Sequence, residues 1–146
     1  MAKAFSIEDG NLLNTSLVSS VKRVHTDIDC SFEPKSSGDI YKKTDAAAVK
    51  QSIKNLIMTN NRERPFRSRF GGNIQQMLFS LDTELEASDV SNKIKHAIGK
   101  HEPRAIVNGV KVDLNSNNNS VNIAVVFQLV NTLETVTLNV TIARIR

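Results

Sequence analysis

The chain has 146 residues, of which 40% are hydrophobic, and this fits one globular domain that buries its own core. It holds a single cysteine, which excludes an intrachain disulfide, and no apolar run approaches the roughly 20 residues of a membrane span. A formal net charge of +4 permits contact with nucleic acid without requiring it.

The first elements along the chain are an arm and a strand. Residues 1–25 show no clear periodicity and lack the continuous apolar segment of a secretory signal, so we interpret them as an N-terminal arm. Residues 26–33 alternate in polarity, which predicts a half-buried strand whose inner face carries Ile28, Cys30 and Phe32. Cys30 is accordingly expected to be a buried structural thiol.

Three helices are predicted next. Residues 45–58 carry an apolar stripe at helical spacing, formed by Val49, Ile53, Leu56 and Ile57. Thr44 or Asp45 can cap this helix, and Asn73 and Ser88 can cap the second and third. The apolar residues of the second helix are Ile74, Met77, Leu78 and Leu81, and those of the third are Val90, Ile94, Ala97 and Ile98.

The last third of the chain predicts an antiparallel meander with one apolar face. That face carries Val110, Val112, Leu114, Val121, Ile123, Val125, Phe127, Leu129, Val136, Leu138, Val140 and Ile142. Turns are predicted at residues 115–120 and 131–134. Because the helices must cover the apolar face, the predicted fold is α+β. Three helices pack on one face of a small antiparallel sheet, which consists of the C-terminal meander plus the N-terminal strand.

A charged loop at residues 62–72 separates the first two helices, and its arginines alternate with Phe66 and Phe70. Three interpretations stay open: single-stranded nucleic acid bound by charge and stacking, two phenylalanines that fill the core, or a protein interface. Because Pro65 and Gly71 fix the loop, we favour an interface or internal ion pairing.

Neither a metal site nor an active site is indicated. His25, His96 and His101 are scattered, so no metal and no cofactor is expected. Gly71-Gly72 matches no phosphate-binding pattern and suits a turn before a helix. The candidate acids have cationic neighbours or lie in polar runs, which favours ionised carboxylates with a low pKa: Glu63, Glu84, Glu86 and Glu102. We therefore expect no enzymatic activity.

The triplet Glu102-Pro103-Arg104 stands where the predicted helices give way to strands. Pro103 has no backbone N–H and a fixed φ, so the preceding helix cannot continue through it. Two opposite charges flank this rigid residue. They form either an exposed turn or an ordered contact with a partner or with another element of the same chain.

The order and spacing of these motifs resemble the baseplate wedge proteins of contractile tails. This family includes phage tail proteins that carry a lysozyme-like label and the matching wedge subunit of type VI secretion. The resemblance covers residues 26–146 and rests on segments 27–32, 45–56, 63–67 with 70–71, and 102–104. It predicts a wedge domain at 26–146 after the arm at 1–25. One departure is Arg62, where the family pattern has a glycine.

The resemblance implies a structural wedge subunit that binds other wedge proteins and provides the platform on which the tail sheath begins to polymerise around the tube. It implies a virion tail baseplate assembled in host cytoplasm, with no membrane or nucleic-acid partner. The triplet is the family's hallmark for wedge assembly, and the expected interface comprises Glu102, Pro103, Arg104, Glu63, Arg64, Phe66 and Arg67. A strand edge for sheath contact is expected at Val140, Ile142, Arg144 and Arg146. The alternatives are a small basic nucleic-acid-binding module and a peptidoglycan-cleaving lysozyme-like tail protein.

Overall fold

The computed structural model describes residues 25–79, 87–115 and 120–143. Within these ranges, two short strands precede three helices and a three-stranded sheet, which confirms the predicted α+β class. In chain order, the elements are β1 (Thr26–Ile28), β2 (Lys42–Thr44), α1 (Asp45–Met58), α2 (Ile74–Phe79), α3 (Ala87–His101), β3 (Ala105–Asn115), β4 (Ser120–Leu129) and β5 (Thr135–Ala143).

The C-terminal sheet is the predicted antiparallel meander, with β4 between β3 and β5. Alternate residues of β4 point into the core, and Phe127 is completely buried. The backbone N–H of Leu129 donates to the carbonyl of Glu134 at 3.0 Å, which confirms the turn at residues 131–134. Leu114 was predicted on the apolar face, but its side chain is exposed near the end of β3. The turn predicted at 115–120 falls largely outside the described residues.

Helices α1 and α3 cover the apolar face of this sheet, as predicted. Both helical stripes lie in one core cluster with the inner residues of β4 and β5. Fully burying each large aliphatic side chain contributes about 1.5–3 kcal/mol, so this contact between helices and sheet dominates the stability of the fold. Within the described residues, no helix is both long and apolar enough to cross a membrane.

The predicted side-chain caps are not formed at the first two helices. Thr44 occupies the N-cap position of α1 without a side-chain cap bond, and Asp45 instead accepts the backbone N–H of His25 at 3.1 Å. The Asn73 amide oxygen is buried and has no hydrogen-bond partner among the described residues. Ser88 lies inside α3, one residue after its first residue, which is within the usual uncertainty of a helix boundary. Leu78 and Leu81 fall outside the described side chains.

The N-terminal strand differs from its prediction. β1 spans only three residues and pairs with β2, so it forms a second sheet that is separate from the meander. The Asp29 carboxylate accepts the backbone N–H of Ser31 at 3.1 Å, and this local turn ends the strand despite the alternating pattern. As a result, Ile28, Cys30 and Phe32 are exposed, and the expectation of a buried thiol at Cys30 is wrong.

Candidate subunit interface

The backbone of the triplet joins three elements. The N–H of Glu102 donates to the carbonyl of Ile98 at 2.8 Å, so residue 102 still belongs to the last turn of α3. The carbonyl of Glu102 then accepts the N–H of Ala105 at 3.2 Å, and the carbonyl of Arg104 accepts the N–H of Val130 at 3.1 Å. The triplet therefore fixes the end of α3 to the start of β3 and to the end of β4.

The side chains of the triplet form an internal ion pair. Arg104 donates Nε–H to Oε1 of Glu102 at 2.6 Å and Nη2–H to Oε2 at 2.8 Å, which is bidentate pairing. Ser52 on α1 donates its hydroxyl to the same Oε2 at 2.5 Å. Glu102 is only 4% exposed, so this carboxylate links α1 to the junction between α3 and β3 from inside the protein.

The electrostatics of this pair follow from its contacts. Burial alone raises the pKa of the Glu102 carboxyl, but the hydrogen bonds from Arg104 and Ser52 outweigh burial and lower that pKa below its ordinary value. The pKa of Arg104 is raised, chiefly by its hydrogen bond to Glu102. Of the two interpretations of the triplet, the ordered contact within the chain is the one observed. Pro103 is exposed and the Arg104 side chain is 30% exposed, so an interface role for these two residues stays a prediction.

In the loop at residues 62–70, the glutamate bonds to an asparagine and not to an arginine, unlike Glu102 in the triplet. Glu63 accepts the backbone N–H of Asn60 at 2.8 Å and the Asn60 side-chain amide at 2.7 Å, and these bonds lower the pKa of Glu63. The N–H of Arg62 donates to the carbonyl of Ser68 at 2.9 Å and closes the loop. Arg62 has a φ of +73°, in the region that favours glycine, so the backbone at the family's glycine position is left-handed although the side chain is arginine.

The two phenylalanines of the loop have opposite environments. Phe70 packs against the core, with the Arg64 guanidinium 4.6 Å from its ring centroid and the edge-on His101 ring at 5.1 Å. Phe66 is fully exposed, at 107% of its reference area, and has a φ of +64°. Of the three interpretations of this loop, the one in which both rings fill the core is therefore correct for Phe70 and wrong for Phe66.

Gly71 allows the loop to approach α1 closely. Its φ is +126°, and a Cβ atom at this position would lie 2.4 Å from the carbonyl oxygen of Thr59. The next N–H, that of Gly72, donates to the carbonyl of Leu56 at 3.0 Å. The glycine pair thus fits the predicted turn before a helix and serves close backbone packing.

A cavity of about 490 Å³ connects this loop with the surroundings of the triplet. Its lining includes Glu63, Arg64 and Phe70 from the loop, together with Asp27 and Ser52. Ser52 also binds Glu102, and the charge of Asp27 contributes to the raised pKa of Arg104. The loop and the triplet therefore border one continuous region of the protein.

The two candidate glutamates that the structure describes, Glu63 and Glu102, are unsuited to proton donation. A glycosidase acid needs a raised pKa, whereas the pKa values of Glu63 and Glu102 are both lowered. Glu84 and Glu86 lie outside the described residues. Across the described ranges, no group of three or more His, Cys, Asp or Glu side chains is arranged to hold a metal ion.

The predicted strand edge is only partly described. Val140 and Ile142 are buried on the core face of β5, so their side chains do not point to the outer surface. β5 pairs with β4 alone among the described residues, which leaves its outer main-chain groups as the edge. Arg144 and Arg146 lie outside the described residues.

Two hydrogen-bond partners were not predicted from the sequence: Ser52, which bonds to Glu102, and Asn60, which bonds to Glu63. Asn60 lies only three residues from Glu63, a spacing at which a local side-chain-to-backbone bond was predictable. Ser52 lies 50 residues from Glu102, and the sequence offers no local signal for that contact.

Comparison with known proteins identifies the family of the chain. Residues 43–134, more than half of the chain, match the family model described as baseplate wedge protein gp25. The chain belongs to the baseplate wedge protein gp25 family. The resemblance drawn from the motifs is thereby confirmed, and membership places the chain among the structural proteins of tail baseplates.

Individual relatives of the family give the extent of the likeness. The chain is 28% identical over 87 residues to baseplate wedge protein gp25 of Enterobacteria phage T4, a match that covers 60% of this chain and 66% of the phage protein. In fold, the chain is similar to a subunit in the cryo-EM baseplate of the anti-feeding prophage, with a TM-score of 0.63 and 24% identity over 74% of this chain and 87% of that one. It is also similar to a putative tail lysozyme from Geobacter sulfurreducens, with a TM-score of 0.59 and 21% identity over 68% of this chain and 90% of that one.

Proposed function

We propose that this chain is a non-enzymatic wedge subunit that binds other wedge proteins of a contractile-tail baseplate through the loop at residues 62–70, with Pro103 and Arg104 beside it. The proposal includes assembly of the baseplate in host cytoplasm, and a wedge domain that begins near residue 26. One observation carries it: Phe66 is fully exposed in the middle of a loop whose other aromatic ring packs against the core.

The exposure of Phe66 is expensive for an isolated protein. Its left-handed backbone costs about 1–2 kcal/mol, and its ring gains nothing from burial. The loop around it is held by Glu63, Asn60 and the core contact of Phe70, so the backbone that carries the ring is supported before any partner arrives. Aromatic and arginine side chains are enriched at protein interfaces, so an exposed ring flanked by arginines on a supported loop fits a partner-binding surface.

For the initiation of sheath polymerisation, we propose a different contact, at the outer edge of β5. The outer edge of β5 offers backbone donors and acceptors to which an extended segment of a sheath subunit can add as a further strand. Hydrogen exchange tests this contact: adding purified sheath subunit is expected to slow exchange of the β5 amides and leave α3 unchanged. Unaltered β5 exchange at saturating sheath protein would refute it.

The two alternatives conflict with specific contacts. A stacking surface for single-stranded nucleic acid needs more than one available ring, but the Phe70 ring is already occupied by Arg64 and His101. A lysozyme-like activity needs a protonated acid, and the described candidates are ionised. We expect no clearing in a peptidoglycan turbidity assay and no salt-sensitive affinity for DNA.

The test of the proposed function is reconstitution. The chain is co-expressed with the other wedge proteins of its particle, and the mixture is separated by size-exclusion chromatography. We expect co-elution of the chain with at least one wedge protein at physiological salt. Elution of the chain alone with every wedge protein supplied would contradict the proposal.

A further inference from the structure

A second and larger cavity lies between the end of the loop and the exposed side of α3. Its volume is about 690 Å³, and every ionisable side chain that lines it among the described residues is basic. These side chains are Arg62, Arg69, Lys93, His96, Lys100 and His101. Within residues 25–79, 87–115 and 120–143, neither aspartate nor glutamate lines it.

Among the described residues, no carboxylate forms an ion pair with a basic side chain of this cavity. The ion pairs within the described residues involve Lys43, Arg104 and Lys111, none of which lines the cavity. Lys93 donates to the thioether sulfur of Met77 at 3.3 Å, and a ring nitrogen of His101 lies 3.2 Å from the carbonyl oxygen of Arg69. Grouping like charges without counter-charges raises the free energy of the folded state, and an anionic partner would offset that cost.

The basic side chains are also well placed for one ligand. Lys93, His96 and Lys100 follow one another at three and four residues along α3, so they share one side of the helix. The other side of α3 is fixed in the core by Val90 and Ile94. Across the cavity, Arg62 and Arg69 belong to the hydrogen-bonded loop, so both walls are supported.

We propose that this cavity binds an acidic segment of another wedge protein, whose Asp or Glu carboxylates pair with Arg62, Arg69, Lys93 and Lys100. A cavity of this volume admits a few side chains of a peptide, and a nucleic-acid duplex cannot enter it. The described residues of the lining also include no aromatic ring other than histidine for base stacking. Only the identity of the partner as a wedge protein rests on the proposed function.

The experiment uses the full chain and a fluorescein-labelled peptide of alternating glutamate and glycine, with binding measured by anisotropy at low salt. The test variant is Lys93→Glu with Lys100→Glu. The control variant is Lys42→Glu with Lys54→Glu, which changes net charge equally at exposed lysines outside the cavity. We expect saturable binding by the wild type, a loss of at least about tenfold in the test variant, and a loss of less than about threefold in the control.

Several results would overturn the inference. Absence of saturable binding would show that the cavity is not a site for acidic peptide. Equal losses in the two variants would show that only net charge matters. Tighter binding of a single-stranded oligonucleotide of equal charge would indicate a nucleic-acid site. A large gain in affinity after neutralising Asp82, Glu84 and Glu86 would show that this chain's own acidic segment occupies the cavity.

The peptide-binding experiment can fail or succeed independently of the reconstitution that tests the proposed function. Phe66→Ala should leave peptide binding unchanged, because Phe66 does not line this cavity. If a wedge complex forms but the peptide does not bind, the cavity inference alone fails. If the peptide binds as expected but no wedge complex forms, the proposed function alone fails.

Discussion

The chain uses the same three residue types twice, and the two places behave differently. In Glu102-Pro103-Arg104, the glutamate is buried and pairs with its own arginine. In Glu63-Arg64-Pro65, the glutamate bonds to Asn60 while the arginine lies over Phe70. The first region connects α1, α3 and β3, whereas the second holds a surface loop in shape and leaves Phe66 exposed. Composition alone therefore does not distinguish an internal support from a partner-binding surface; burial and hydrogen-bond partners do.

The largest expected effect tests how the loop is attached to α1. Gly71→Ala should lower the free energy of unfolding by about 4 kcal/mol, because it combines a disfavoured φ with a backbone clash at Thr59. Gly99→Ala is the matched control: it lies in α3 with open space around it and should stabilise the protein by about 1 kcal/mol. Urea unfolding measures both. Equal effects of the two substitutions would contradict the close approach at Gly71.

The next effect tests the internal ion pair. Arg104→Ala should lower the free energy of unfolding by about 3 kcal/mol, because the buried Glu102 carboxylate loses its partner. Lys111→Ala, which removes one half of an exposed pair, should change stability by about 0–1 kcal/mol. Adding Glu102→Gln to Arg104→Ala should recover part of the loss, since no buried charge then remains. Unchanged stability of Arg104→Ala would show that the ion pair between Glu102 and Arg104 does not stabilise the fold.

Acid unfolding also tests the contribution of the Glu102 carboxylate to stability. Because the folded-state pKa of Glu102 lies below its ordinary value of 4.5, the stability from this carboxylate is present above pH 4.5 and is lost as the pH falls through the folded-state pKa. Glu102→Gln should therefore flatten the fall in stability between about pH 5 and pH 3, measured by urea unfolding at each pH. The lowered pKa values of Asp29 and Glu63 should leave a residual slope. Identical slopes for wild type and variant would mean that Glu102 titrates normally.

The smallest stability effect concerns the loop arginines. Arg64→Ala should cost about 0.5–1 kcal/mol, since it removes the guanidinium from the Phe70 ring. Arg67→Ala is an exposed control in the same loop and should cost less than about 0.5 kcal/mol. Thermal unfolding at matched ionic strength compares the two variants. Indistinguishable melting temperatures would contradict a stabilising contact between Arg64 and Phe70.

The main elements were predictable from the sequence because their signals are local and repeated. The helical stripe of α1 and the alternation of β4 each extend over several turns or pairs, and both are buried as predicted. The strand at residues 26–33 was wrong beyond Ile28 because one Asp29 turn overrides a short alternating pattern. The position of the triplet between helix and sheet was predictable from Pro103. Its internal pairing was not, because Ser52 meets Glu102 only after α1 packs against the end of α3.

The difference between the two phenylalanines shows the same limit. Phe66 and Phe70 have similar neighbours in sequence, but Phe66 has a left-handed backbone and an exposed ring, whereas Phe70 packs on the core. The sequence pattern contains no periodicity across this loop from which that difference follows.

The most direct test of the account combines stability and partner binding in Phe66→Ala and Arg104→Ala. Each variant is melted alone and is then co-expressed with the other wedge proteins for size-exclusion chromatography. Phe66→Ala should keep the wild-type melting temperature and lose co-elution, whereas Arg104→Ala should melt about 10 °C lower. Wild-type co-elution of Phe66→Ala at normal stability would contradict the claim that the loop is the partner-binding surface.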